Sequence, residues 1–151
     1  MSLFNVMNIA STGMSAESVR LNTTASNIAN ANSVSSSYDQ TYRARKPVFA
    51  AEMDRAMNNY AKHSGKDLPP TSGGHGVQVL GVVESDKPLQ VEYNPNHPMA
   101  DKDGYIYKPN VNVVEEMADM MSASKSYETN VQVADTTKRI FRRVLQLGQG
   151  Q

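Results

Sequence analysis

Each end of this 151-residue chain carries a long run in which apolar side chains return every three or four residues. That spacing lines them up along one stripe of an α-helix. In the first run, about residues 3–32, the stripe is Leu3, Met7, Ala10, Met14, Ser18, Leu21, Ala25 and Ile28. In the second, about residues 112–147, it is Val113, Met117, Met120, Ser124, Tyr127, Val131, Ala134, Lys138, Phe141 and Leu145. The steps are heptad-like, with one extra four-residue step between Met14 and Ser18, as at a coiled-coil stutter. At about 1.5 Å per residue the two helices are expected to be roughly 45 Å and 50–55 Å long.

Local signals bound both helices. The first is expected to close at Asn30–Asn32, since Asn tolerates the left-handed conformation, and Ser33 to Ser37 then reads as a loop. Gly13 marks a bend or a close contact. Pro109 and Asn110 stop whatever precedes the second helix, and Asn112 with Glu115 has capping-box spacing. Glu115 and Glu116 in the first turn, with Arg139, Arg142 and Arg143 near the end, complement the helix dipole. Gly148 and Gly150 end the pattern.

The middle of the chain differs. Tyr42–Phe49, Val77–Val83, Leu89–Tyr93 and Tyr105–Tyr107 are β-prone, the last preceded by an Asp103-Gly104 turn. Pro47 places the first of these at a sheet edge. Glu52–Asn59 reads as a short helix and His63–Gly76 as a flexible loop. The expected fold is α+β. Long N- and C-terminal helices form a coiled-coil hairpin around a small, mainly β insert, with 1–33 and 110–151 as the axial core and 34–109 as the insert.

Isolated helices of this kind are marginal in water, and a two-helix seam only partly buries its stripe. Val6 and Ile9 lie off the first seam; Val114, Met121, Ile140, Val144 and Leu147 lie off the second. Exposed apolar surface of that extent marks an interaction face, so lateral packing on other subunits is expected. The competing picture is a compact monomer in which the helices are buried all round. Asn27, Asn30 and Asn130 allow two readings: solvent-facing or capping groups, or interhelical hydrogen bonds that fix register. The nine methionines suit adaptable seams but are also ordinary core filling.

Charge and composition exclude several functions. Fifteen basic and fifteen acidic residues cancel, which argues against nucleic-acid binding. With no cysteine, disulfides and Cys-ligated zinc are excluded. His63, His75 and His97 do not stand at metal-ligand spacing, Gly73-Gly74-His75-Gly76 lacks the Lys-Ser/Thr of a phosphate loop, and Asp101-Lys102-Asp103-Gly104 reads as a turn, with Asn112 where a calcium loop needs Glu. Lys138, Arg139, Arg142 and Arg143 read as dipole complement and solvated faces, or as a contact to an acidic neighbour. Neither a cofactor nor a small-molecule substrate is expected, and no acid–base or nucleophilic constellation indicates an enzyme. The first basic residue is Arg20, so the N-terminus does not read as a cleaved signal peptide.

Two stretches carry a resemblance. Ser11-Thr12-Gly13-Met14-Ser15-Ala16, Arg20-Leu21-Asn22 and Ala25-Ser26-Asn27-Ile28-Ala29-Asn30 resemble the N-terminal signature of flagellar rod and hook proteins. Tyr93-Asn94-Pro95-Asn96-His97-Pro98-Met99-Ala100-Asp101, Gly104-Tyr105, Pro109 to Met117, Ser122-Ala123-Ser124, Ser126-Tyr127 and Asn130-Val131 are similar to the proximal-rod branch of that family. Residues 52–75 depart from it as a longer connection. The resemblance implies a helical rod crossing the periplasm and transmitting torque, with the terminal helices around an export channel and the middle outward. It also implies export through the flagellar type III apparatus without a cleaved leader. Partners would be other copies, other rod proteins, the membrane-embedded ring and the export gate. The expected assembly interface is Leu3, Met7, Ala10, Met14, Leu21, Ala25, Asn27, Ile28 and Asn30 on the first helix. On the second it is Val113, Met117, Met120, Tyr127, Asn130, Val131, Ala134, Ile140, Phe141, Val144 and Leu145. The competing function is a soluble coiled-coil adaptor or export chaperone.

Overall fold

The structure is a computed structural model that describes residues 3–51 and 76–148. Helix α1 spans Leu3–Asn30 and helix α2 spans Val113–Gly148; between them lie β1 (Arg45–Ala51), β2 (Val77–Glu84), β3 (Gln90–Tyr93) and β4 (Tyr105–Lys108). The strands form two small antiparallel sheets, β1 with β2 and β3 with β4, so the class is α+β. Both helices and all four strands lie where the sequence pattern puts them, within a few residues. The short helix expected over Glu52–Asn59, and the loop expected over His63–Gly76 apart from Gly76, lie outside the described residues. No described helix is long and apolar enough to cross a membrane.

The chain divides into two compact units. One comprises Met1–Ser18, Phe49–Leu80 and Ser124–Gln151; the other comprises Val19–Val48 and Gly81–Ala123. In the first, the Phe4 and Phe141 rings meet edge to face with centroids 5.4 Å apart. The Val77 N–H donates to Thr12 Oγ1 at 3.2 Å. The buried large side chains of the described residues, Leu89, Ile106 and Val111, all belong to the second unit.

Side-chain amides organise that second unit. Asn110 Oδ1 accepts from the Ala44 N–H at 2.8 Å, and its Nδ2 donates to the Ser85 and Lys87 carbonyls at 3.2 and 2.7 Å. With the Ala44 carbonyl accepting from the Ser85 N–H, this ties three chain segments together. It also explains why β1 begins at Arg45 and not at Tyr42: the backbone just before Arg45 is claimed by Asn110. Pro47 is tolerated because each strand of a two-stranded sheet has a free edge.

Helix ends follow the sequence in part. Asn112 caps α2, its Oδ1 accepting from the N–H groups of Val114 (3.1 Å) and Glu115 (3.5 Å). The reciprocal half of the capping box does not form, because the Glu115 carboxylate lies beside Lys46 Nζ (3.4 Å) and Lys87 Nζ (3.9 Å). The left-handed closure expected for α1 is also absent: no described residue other than Gly has positive φ. Instead the Asn30 Nδ2 donates to the Ser26 carbonyl at 2.8 Å, and the Ser33 N–H and Oγ both bond the Asn30 carbonyl. A local side chain thus satisfies a carbonyl that the left-handed turn otherwise serves.

Strands β3 and β4 pair from Gln90↔Lys108 to Tyr93↔Tyr105. Their connection, which carries most of the Tyr93–Gly104 motif, is built on Asp101. Its Oδ1 accepts from the N–H groups of Asp103 (2.9 Å) and Tyr105 (2.8 Å), and its Oδ2 from the Tyr107 hydroxyl (3.1 Å). The Tyr105 N–H foremost, helped by Asp103, Tyr107 and Gly104, holds the Asp101 carboxyl below its ordinary pKa. The same contact with Asp101 raises the Tyr107 phenol. Gly104 has φ +84°, and a Cβ there would stand 2.9 Å from the Tyr93 ring.

Two expectations follow. Gly104→Ala is expected to cost about 1–2 kcal/mol through the left-handed backbone alone, read as a lowered urea midpoint; an unshifted midpoint would remove that constraint. The depressed Asp101 value stabilises the turn above the unfolded Asp pKa, about pH 4, and this contribution fades as pH falls through the lower folded value. The protection factor of the Tyr105 amide, its exchange relative to the unstructured chain at the same pH, is therefore expected to fall on acidification, and Asp101→Asn to flatten that response. An acid response as steep in Asp101→Asn as in the parent chain would assign it to another group.

Candidate assembly surface

A helix pair must turn one stripe of each helix inward, and the structure shows which stripe this chain selects. On α1 the buried positions are Ala10, Ala16, Thr23, Thr24 and Asn27, with Gly13 and Arg20 half-buried. On α2 they are Glu116, Ala123 and Thr137, with Asn130 half-buried. Glu116, Ala123, Asn130 and Thr137 stand seven residues apart, the period of a left-handed coiled-coil seam. The side chains are small or polar. Thr23, Thr24 and Thr137 satisfy their hydroxyls within their own helix, each donating to the carbonyl four residues back at 2.8–2.9 Å.

Small residues let backbones approach. In the first unit a Cβ on Gly13 would lie 2.8 Å from Asn130 Nδ2. The close contact expected at Gly13 is therefore real, and its partner is one of the three asparagines singled out from sequence.

In the second unit the contacts are polar. Arg20 Nη2 meets Asp119 Oδ1 at 3.1 Å. Asn27 is 1% exposed and uses its whole carboxamide. Its Nδ2 donates to the Arg45 carbonyl (2.8 Å) and to Glu116 Oε2 (3.0 Å), while its Oδ1 accepts from the Arg45 N–H (2.9 Å) and the Tyr42 hydroxyl (2.9 Å). Asn27 thus pairs with Arg45 as a neighbouring strand would and also reaches α2. Of the contacts expected for this residue, an interhelical hydrogen bond is present, to Glu116, whereas the Asn30 side chain bonds its own helix.

The apolar stripe read from the sequence is displaced from this buried one by about one residue. Of the expected interface residues, Ala10 and Asn27 are buried. Leu3, Met14, Leu21, Ile28, Asn30, Val113, Met120, Asn130 and Ala134 are half-buried. Met7, Ala25, Met117, Tyr127, Val131, Ile140, Phe141, Val144 and Leu145 are exposed. Outside the stripe, Val114 is 76%, Met121 74% and Leu147 81% exposed. Leu3, Phe4, Met7 and Phe141 line an almost wholly apolar groove of about 310 Å³, with Thr137 and Lys138 at its sides. A buried Leu, Met or Ile contributes about 1.5–3 kcal/mol relative to exposure, so this chain leaves much available stabilisation unused. The residues that sequence reasoning missed are Ala16, Thr23, Thr24, Arg20, Arg45, Tyr42, Ala123 and Thr137. The helical ones among them lie on a second, small-and-polar stripe beside the apolar one, whereas Arg45 and Tyr42 carry no periodic signal.

Comparison with known proteins matches residues 7–35 to the family described as "Flagella basal body rod protein" and residues 102–147 to "Flagellar basal body rod FlgEFG protein C-terminal". These two segments hold most of α1 and α2, and they define the class as flagellar rod proteins. Full-length relatives narrow it. The chain is 41% identical to the flagellar basal-body rod protein FlgC of Salmonella typhimurium, over 99% of this chain and 100% of that one. It is 39% identical to FlgC of Borreliella burgdorferi and 34% identical to FlgC of Buchnera aphidicola, with the same coverage. The chain belongs to the FlgC family of flagellar basal-body rod proteins.

The close approach at Gly13 makes a prediction. Gly→Ala in a helix gains about 1 kcal/mol from propensity, but here Asn130 opposes it. Gly13→Ala is expected to be neutral or destabilising alone and to gain about that 1 kcal/mol in an Asn130→Ala background. A double-mutant cycle by urea denaturation measures this, and strict additivity would remove the contact from the account.

Proposed function

We propose that this chain is a non-catalytic structural subunit of the flagellar basal-body rod, in its proximal part. It assembles helically with copies of itself and with other rod proteins. Its end segments, 1–33 and 110–151, form an antiparallel coiled-coil hairpin that lines the export channel, and the 34–109 insert faces outward. The rod so built carries torque across the periplasm, with the membrane-embedded ring and the export gate as neighbours, and the subunit arrives through the flagellar export apparatus.

One observation carries this reading: small and polar side chains fill the buried positions of both helices, while Phe4 and Met7 of α1 and most large apolar side chains of α2 are exposed. Apolar surface of this kind is used by association. The remaining expected interface residues, from Met7 and Met117 to Val144 and Leu145, supply it. The full-length likeness to rod proteins favours this role over a soluble adaptor or export chaperone.

Removal of Phe141–Gln151 is expected to abolish rod assembly and swimming while the β3–β4 hairpin keeps its amide protection. Val144→Asp is expected to reduce assembled basal bodies at least about tenfold, as a charge buried at an interface does, and Arg142→Ala far less. Counting basal bodies by electron microscopy of cell extracts decides the matter; equal effects of the two substitutions would sink the assignment of the apolar face.

A further inference from the structure

The second unit presents a problem of selection. Its alternative arrangement would turn Leu21 and Ile28 of α1 toward Met117 of α2. That arrangement differs by about one residue position, roughly a 100° turn of each helix, and it sets these larger apolar side chains inward in place of Asn27, Thr23 and Glu116. Hydrophobic burial by itself favours it. We infer that Asn27 is the positioning residue that forbids it, locking the small and polar stripe inward and so keeping the apolar side chains outside for a partner. Only the last clause rests on the rod reading.

The argument lies in where the four hydrogen bonds of Asn27 go. Two join the backbone N–H and C=O of Arg45, which no change of rotamer can move. The third comes from Tyr42 and the fourth goes to Glu116, which is itself buried. Turning α1 by one position swings the carboxamide away from all of them together. That leaves buried donors and acceptors without these partners, a cost that apolar burial elsewhere must first overcome. The interhelical contact of Arg20 with Asp119 cannot hold the register in the same way. Arg20 and Asp119 are partly exposed, and pairs of that kind contribute little. The side chain of Asn30, from the same sequence motif, bonds the Ser26 carbonyl of its own helix. The motif therefore contains one asparagine that locks and one that caps.

The absence of cysteine makes a clean test possible. Single reporters Thr23→Cys, at a buried position on the side of the stripe away from Leu21, and Leu21→Cys, at a half-buried one, are labelled with a maleimide in the purified full chain. With Asn27 present, position 21 is expected to react and position 23 to be spared. With Asn27→Ala the pattern exchanges, the rate rising at 23 and falling at 21, each on the order of tenfold, as follows from the loss of buried hydrogen bonds. Asn30→Ala leaves both rates unchanged. Rates in Asn27→Ala equal to those of the parent overturn the lock. If Asn27→Ala unfolds the unit, both positions react at the rate seen in urea, and Asn27→Asp then decides. It keeps the bonds accepted from Arg45 and Tyr42 and loses the two donated ones, so the same exchange supports the lock and an unchanged pattern overturns it. Swimming is read separately. Cells that swim normally with an exchanged labelling pattern overturn the link from register to assembly. Cells that swim without this chain overturn the rod reading and leave the labelling result standing.

Discussion

The carboxamide of Asn27 is the contact on which the second unit turns. One side chain satisfies both backbone groups of Arg45, accepts from Tyr42 and donates to Glu116. It fixes the start of β1 against α1 and brings α1 to α2. A buried amide is tolerated only when its donors and acceptors are all met, and here they are. Such a contact is directional where hydrophobic contact is not, so it can choose between two arrangements of the same helices.

The same economy runs through the rest of the unit. Asn110 joins Ala44, Ser85 and Lys87 through one side chain, and Asp101 gathers Asp103, Tyr105 and Tyr107 into the turn before β4. The hydrophobic share of the sequence is 39%, and much of that lies at the surface. A fold short of apolar core can still be specific when side chains complete the hydrogen bonding that a larger sheet would otherwise supply. Two-stranded ribbons are marginal alone, and these polar ties hold the ends of both.

The division of labour between stripes connects this packing to function. Side chains that approach closely without needing a partner, such as Ala10, Gly13 and Ala123, turn inward. Those that gain most from leaving water, such as Met117, Met121, Val144 and Leu147, remain in it. A subunit arranged this way is incomplete by itself, which suits membership in a family of rod proteins.

The sequence by itself determined the elements and the family. Helical periodicity placed α1 and α2, β-prone runs placed the strands, Asn112 announced its cap, and the two end motifs carried the resemblance. These are local properties, fixed by spacing and by side chains a few residues apart. Only the tertiary structure decided which stripe faces inward, and it chose the heptad of Glu116, Ala123, Asn130 and Thr137 over its apolar neighbour. The partners that decide this, Arg45 and Tyr42 for Asn27 and Asn130 for Gly13, are distant in sequence, and no periodicity encodes them. Hydrophobicity is readable residue by residue, whereas a hydrogen bond exists only once both of its ends have been brought together.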